Sequence, residues 1–386
     1  MRNAIAAVLA VLLCTAVLAQ PLAPAQLPAP PAGTQPSAPA QQPGPPAQQA
    51  APPTEAPQPE KVLLELKFAA GQVLRYRGFA DMAGAVNVAM TGAPQQPQQP
   101  QQPFNMQVPV SAKGVVAMTA RVIKQDAYGG TRLRVSMDSA SVNVDVMGHK
   151  IQMALNNGKL ATLADGQKMT PQKLPNLPGG QAIPFVQKPM EVKIGKRGQI
   201  MDIVVPGFEK EWKQMMEQVK KMYGGMDPMT IMRQGQILLP DHPVGVGEGW
   251  NHHLEVPLAG GAPTVMDMNF TLDNLETVNG KQIATLGVTG RETMTNIDLG
   301  TMMKQGMAQG GAQMPQMPPI SGRMNGEFGI SGKARFNVTA GTVDRYDFRV
   351  DMNFSMNGTM PSPSGQQPMT MTMNMAGQIN GALARL

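Results

Sequence analysis

The chain has few residues whose type and spacing could support catalysis or metal binding. Its four histidines are His149, His242, His252 and His253. Because His252 and His253 are adjacent, a strand would point their side chains to opposite faces, where they cannot readily bind one metal ion together. One of them could join His242 and a nearby carboxylate, but ordinary surface histidines near a turn explain the same pattern. We therefore predict no metal site.

Linear motifs of catalysis and nucleotide binding are also missing from the sequence. There is no Gly-x-Ser-x-Gly elbow, no Gly-x-x-x-x-Gly-Lys-Ser/Thr loop and no His-Glu-x-x-His helix. The glycines of residues 245–249 superficially resemble a nucleotide loop, but Trp250 and an alternating segment follow where that loop needs a helix. A tight turn entering a strand is the better interpretation. We predict no catalytic residue and no cofactor, although an active site assembled from distant residues would leave no linear motif.

Sulfur comes almost entirely from methionine, with 33 methionines and a single cysteine. Thioethers can bind Cu(I), and Met369, Met371, Met373 and Met375 would share one strand face. Methionine is equally an adaptable filler of apolar cores. Because the methionines occur wherever the strand pattern needs an apolar residue, and not near histidines, we interpret them as core filling and not as a copper site.

The N-terminus predicts export. Arg2 precedes an uncharged, mostly apolar stretch from Ala4 to Leu18, which at 15 residues is too short for a bilayer-spanning helix. We predict a signal peptide at residues 1–19, cleaved after Ala19, and no transmembrane segment after cleavage. Cys14 lacks the small preceding residue of a lipidation signal, so the mature chain would have no cysteine. The expected location is the periplasm or the extracellular space.

A proline-rich segment follows at residues 20–59, with fourteen prolines and one charged residue. Such a composition cannot bury enough apolar surface to fold, which predicts a disordered, extended linker. Residues 93–103 repeat Gln-Gln-Pro and predict a disordered loop between two strands. The formal charge of +6 is scattered, without aromatic residues among the basic ones, so nucleic acid is not an expected partner.

Residues 60–386 alternate with the period of a half-buried strand. The clearest segment has apolar residues at every even position from Tyr346 to Met356 and polar or charged residues between them. The methionines from Met369 to Met375 alternate in the same way, which predicts a hairpin across residues 358–367. Similar segments recur, and Asn279-Gly280 is a strong hairpin signal. We expect roughly a dozen strands in an antiparallel arrangement without βαβ units.

Two short helices are expected between the strands. Apolar residues at helical spacing run from Phe208 to Met222 and include Trp212 and Met215. Asp227-Pro228 is typical of a second helix start, with Gly235 ending it. The predicted fold is all-β: a large antiparallel curved sheet or half-barrel with two short helices inserted. A further alternative is a pair of similar lobes, residues 60–205 and 240–386, joined by a helical segment at 206–239.

Three segments resemble a family of secreted bacterial β-rich proteins, a domain of unknown function. They are the Gly-Gln-x-Leu-x-Tyr start at residues 71–76, the Pro-Val-x-Val-Gly-x-x-Trp segment at 243–250 and the closing hairpin at 332–351. The resemblance covers residues 61–380. It implies an exported β domain and transfers no active site.

These observations favour a non-catalytic exported protein that binds a hydrophobic or lipid-like ligand in an apolar β concavity. The candidate ligand-binding residues are Trp212, Met215, Phe348, Met352 and Phe354. The alternative is a structural or protein-interaction module of the cell envelope, displayed on the flexible linker, with an envelope protein as its partner.

Overall fold

The computed structural model describes residues 60–91, 104–127, 129–156, 159–169, 188–222, 238–256, 264–298, 300, 321–361 and 368–386. The signal peptide, the linker, the Gln-Pro loop and the second helix predicted from the sequence lie outside these residues. No helix in the described part has the length and hydropathy that crossing a bilayer requires.

Strands make up most of the described chain. They are β1 Val73–Thr91, β2 Phe104–Gln125, β3 Thr131–Val146, β4 His149–Asn156, β5 Lys159–Ala164, β6 Gln167–Met169, β7 Met190–Ile194, β8 Ile200–Val204, β9 Gly249–Val256, β10 Thr264–Val278, β11 Lys281–Asp298, β12 Ser321–Asn337, β13 Thr342–Met360 and β14 Met369–Arg385. One helix, α1, spans Glu209–Met222 between β8 and β9.

All fourteen strands belong to one antiparallel sheet, which confirms the predicted all-β class. The strand order is β6-β5-β4-β3-β2-β1-β14-β13-β12-β11-β10-β9. The first and last long strands, β1 and β14, pair along their whole length in the middle of this order. β3 is shared at its two ends, because residues 131–135 pair with β7 and residues 139–146 pair with β4. The two-lobe division stays a prediction.

Local sequence explains the hairpins. Met356 lies opposite Met373, so β13 and β14 form the hairpin that their alternation predicts. β10 and β11 are joined by Asn279 and Gly280, whose φ angles are 52° and 73°. A two-residue turn with both φ values positive matches the right-handed twist of the flanking strands, and asparagine and glycine tolerate that backbone best.

The helix α1 begins where the sequence predicts it. Trp212 donates its backbone N–H to the carbonyl of Phe208, closing the first turn at 2.8 Å. Glu209 and Glu211 lie in that turn, where carboxylates favour the positive end of the helix dipole. The Glu209 carboxylate accepts hydrogen bonds from its own backbone N–H and that of Gly207, and these hold its pKa below the usual range.

Two irregular segments curve the sheet at one end of the long strands. Leu66 donates its backbone N–H to Lys196 in the β7–β8 turn, and Lys67 donates to Gly341 in the β12–β13 turn, at 2.7 and 2.9 Å. A flat sheet would separate β7 from β13 by about five strand spacings, or about 24 Å. Leu66 and Lys67 are consecutive, and each bonds to one of the two turns. The sheet must therefore bend until the two turns lie within about 10 Å of each other.

The second segment completes this closure. Val62 and Val244 exchange two backbone hydrogen bonds of 2.9 Å, an isolated bridge that joins the segment 61–67 to the segment 238–244. Leu239 in turn donates to the carbonyl of Arg197 at 3.0 Å. Residues 61–67 and 238–244 therefore link the β9 side of the sheet to the β7–β8 side.

Two similar turns lead into β1 and β9. The side chains of Gln72 and Glu248 each accept a hydrogen bond from the backbone N–H three residues earlier, at 2.8 and 2.9 Å. Their own backbone N–H groups return a bond of 3.0 Å to the same residues. Gly71 and Gly247 precede them with φ angles of 73° and 85°, a conformation that favours glycine. The same turn geometry thus precedes both β1 and β9.

The main core lies at the curved end, which we call the packed end. Leu64 from the N-terminal segment is fully buried there among side chains of β10 to β13, including Phe270 and Phe336. A second cluster forms between the start of β3, β7 and β8, with Trp212 of α1 packed against it. A small third cluster joins β2 and β3 around Val144.

Candidate functional site

The opposite half of the long strands carries an apolar surface that we call the open face. It consists of inner-face side chains that are only partly buried and that belong to none of the three core clusters. They are Val86, Val88 and Met90 of β1, Met106 of β2, Met324 of β12, Met352, Phe354 and Met356 of β13, and Met371, Met373 and Met375 of β14.

Strand register places these side chains in continuous rows. One row crosses five strands through the successive pairs Met106–Val88, Val88–Met373, Met373–Met356 and Met356–Met324. The strands alternate regularly here, so every second residue faces the same side. The open face is therefore the continuation of the surface that Tyr346 and Leu383 contribute to the packed core. The curvature of the sheet makes this surface concave.

On the inner face, phenylalanine rings pack over glycines of neighbouring strands. A Cβ on Gly326 would collide with the Phe354 ring, and one on Gly381 would collide with the Phe348 ring. Each ring therefore lies flat over a neighbouring strand and does not stand upright in the concavity. Gly84 and Gly377 are also paired on the inner face, where they leave a low strip between Val110 and Met352. The flat rings and the paired glycines leave room above this part of the sheet.

The outer face of the same strands is polar. Arg349 and Asp351 on β13 form an ion pair of 2.8 Å, and Lys113 and Asp81 join β2 to β1 at 3.2 Å. The hydrogen bond and charge of Asp351 raise the pKa of Arg349. These side chains are about half exposed or more, which is the solvated charge pattern expected for this strand face.

The candidate residues separate into three environments. Met352 and Phe354 lie on the open face, whereas Phe348, although on the same strand, packs against the main core and stacks on Tyr346 at 5.4 Å between ring centroids. Trp212 packs against the second cluster, away from β13. Met215 lies in α1, but its side chain is outside the described residues. The structure thus brings Met352 and Phe354 together and does not join them to Trp212.

Three of the four histidines occupy separate surface positions, whereas His252 is partly buried opposite Met268. His149 contacts Asp165 at 3.0 Å, His242 contacts Asp241 at 2.9 Å, and His253 contacts Asp267. The hydrogen bond from His149 holds the pKa of Asp165 below its usual range, and His242 does the same for Asp241. Within the described ranges, no group of three or more His, Cys, Asp or Glu side chains could hold a metal ion.

A polar cluster borders the packed end of the inner face. The Arg385 guanidinium donates to Thr342 at 2.8 Å and contacts Asp344 at 3.5 Å. Tyr76 lies opposite Arg385 in the register. Burial raises the pKa of Tyr76 to about 12, with Arg385 opposing the rise and Asp344 adding to it. This cluster lies at the far side of the packed core, with Tyr346 and Leu383 between it and the open face.

Sequence reasoning did not identify the inner-face glycines or the role of residues 61–67. The glycine signal was present, because Gly326, Gly377 and Gly381 occupy positions where strand alternation calls for an apolar residue. A glycine in a strand interior often marks the close approach of another group.

No protein-family model matches the chain, and no curated protein matches it. Among solved structures, the chain is similar over 81% of its length to lipovitellin, from a study of its lipid–protein interactions, at 9% identity and a TM-score of 0.32. It spans 25% of that chain. It is also similar to Pseudomonas aeruginosa OccK5 (OpdH), at 7% identity and a TM-score of 0.16, over 80% of this chain and 98% of that one. Both scores are too low to support a functional argument.

Proposed function

We propose that this chain is a non-catalytic exported protein that holds a hydrophobic or lipid-like ligand against the open face. The observation that carries the proposal is the row of four methionines and one valine from Met106 to Met324, which is partly exposed on the concave side of the sheet. Contiguous exposed apolar surface of this kind marks binding sites more often than ordinary protein surface.

The size of the face suits an acyl chain. Along β1 the open face extends from Val86 to Met90, about 14 Å at about 3.4 Å per residue, and its row across five strands covers about 19 Å. A bilayer core of about 30 Å holds two opposed acyl chains, so one chain needs about 15 Å. Across the strands the open face is longer than that requirement, and covering each large side chain fully would contribute about 1.5–3 kcal/mol.

The flexibility of methionine supports a ligand of variable shape. An unbranched thioether side chain adapts to irregular apolar partners, and methionine is common at surfaces that bind several ligands. Gly326 beneath Phe354 keeps this ring low, which preserves space for such a ligand.

The test is native mass spectrometry and lipid extraction of the protein purified from its own host. Phe354→Asp should abolish retention of the co-purified apolar molecule, because it places a carboxylate on the open face. Asn353→Asp is the matched control: the neighbouring side chain is exposed on the outer face, and retention should be unchanged.

Two results would overturn the proposal. One is a wild-type protein that carries no apolar molecule and binds none when lipid is added. The other is equal retention by the Phe354→Asp and Asn353→Asp variants. A stable envelope protein crosslinked to an empty domain would favour the structural or interaction module instead.

A further inference from the structure

Four of the five strands that carry the open face have an unusual distribution of charge; on the fifth, β12, Arg323 and Glu327 alternate with the inner-face residues. Charged residues make up 15% of the whole chain. Yet residues 82–91 of β1, 104–112 of β2, 352–360 of β13 and 369–384 of β14 contain no Asp, Glu, Lys, Arg or His on either face. The inner positions are apolar, and the outer ones are mainly alanine, asparagine, serine and threonine. These four strands therefore offer a charged ligand neither attraction nor compensation along this whole region.

The nearest cations either point away from the open face or already have an anionic partner. Arg323 of β12 lies on the outer face and donates to the side chain of Asn296 at 3.3 Å. Lys113 and Arg349 point outward, to Asp81 and Asp351. Arg385, at the packed end, is engaged by Thr342 and Asp344. An anionic headgroup on the open face of these four strands would thus lose its hydration without gaining a described cationic partner, which is strongly unfavourable in an apolar environment.

We infer that the open face selects an uncharged lipid, one whose headgroup bears hydroxyls or an ester and no phosphate or carboxylate. This inference rests on the proposed function and adds the ligand class to it. The outer rim of neutral polar side chains can hydrogen-bond such a headgroup at the strand ends, where Thr91 lies opposite Thr370. Hydroxyls donate and accept hydrogen bonds without the desolvation cost of an ion.

The inference predicts a preference between two lipids that share one acyl chain. 1-Oleoylglycerol and its 3-phosphate are compared by displacement of the neutral dye Nile red from the full mature protein, below the critical micelle concentration of each lipid. The uncharged lipid should bind at least about tenfold more tightly, because only the phosphate lipid would place a charge on the open face without a cationic partner.

A new cation on the open face should reduce that preference. Met373→Lys places an ammonium group between Val88 and Met356, and it should lower the ratio of the two affinities by about tenfold through pairing with the phosphate. Asn374→Lys is the matched control, since the neighbouring residue is exposed on the outer face and the ratio should stay unchanged. If Met373→Lys fails to fold, Met371→Lys, nearer the strand end, replaces it.

The outcomes separate the two claims. Equal or tighter binding of the phosphate by the wild-type protein would overturn the neutral-lipid inference and leave the proposed function intact. A similar change of ratio in Met373→Lys and Asn374→Lys would also overturn it, because the effect would then come from net charge alone. Binding of neither lipid, with Nile red not retained, would remove the proposed function itself.

Discussion

The packed end and the open face are built from the same strands, yet only one of them is a closed core. At the packed end, β13 buries Tyr346 beneath residues 61–67 and 238–244, whereas further along the same strand Met352 and Phe354 stay partly exposed. Alternation is identical in both regions. The comparison teaches that apolar periodicity creates a face, while additional segments decide whether that face becomes a core.

The segments that join the strands also differ between the two ends. At the packed end the long strands are joined by tight turns, such as Asn279-Gly280 between β10 and β11. At the other end the joining segments are longer and rich in Gln, Pro, Met and Gly, as residues 92–103 and 299–320 show in the sequence. The lining also changes, from leucine, valine and phenylalanine to methionine. The two ends therefore combine a closed core with a half whose apolar face stays partly exposed.

The strongest test of this comparison removes one phenylalanine from each region. Phe336→Ala, at a fully buried position, should lower the free energy of unfolding by about 3–5 kcal/mol through lost burial and a cavity. Phe354→Ala should cost less than about half of that, because its ring is partly exposed. Urea denaturation of both variants measures the difference. Equal losses would show that the open face is packed as tightly as the core.

Alkaline pH should act through the packed end. Since burial raises the pKa of Tyr76 to about 12, the unfolded chain loses this proton near pH 10 while the folded chain keeps it. The contribution of Tyr76 to the free energy of unfolding is thus fully present below about pH 10, and it falls by about 2–3 kcal/mol as the pH rises to 12. The measurement is urea denaturation across that range.

Tyr76→Phe is the control for the alkaline effect. It retains the ring and removes the titrating hydroxyl, so its unfolding free energy should decline less steeply than that of the wild type between pH 10 and 12. Parallel profiles for the two proteins would contradict the assignment to Tyr76.

A smaller effect is expected from the glycines that shape the open face. Gly326→Ala should displace the Phe354 ring, lowering stability by about 1–2 kcal/mol and weakening Nile red binding. Gly329→Ala on the same strand is matched, because the nearest atom to its new methyl group would be 4.0 Å away. Similar behaviour of both variants would show that Phe354 has no specific place above Gly326.

Much of the fold could be predicted because it follows from local pattern. The alternation from Tyr346 to Met356 specifies which side chains share a face, and Asn279-Gly280 specifies a tight hairpin, whatever the rest of the chain does. Met352 and Phe354 were identified from this alternation alone. Trp212 could not be separated from them, because a helical apolar stripe does not reveal which surface it contacts.

By itself, the sequence determined an antiparallel, two-faced sheet with a methionine-rich side and no linear catalytic motif. Only the tertiary structure decided that β1 pairs with β14, that β3 is shared between β4 and β7, and that residues 61–67 curve one end closed. The physical reason is the range of the interactions. Strand periodicity acts between neighbouring residues, whereas the bond between Lys67 and Gly341 joins residues far apart in the chain and forms only once the whole sheet has assembled.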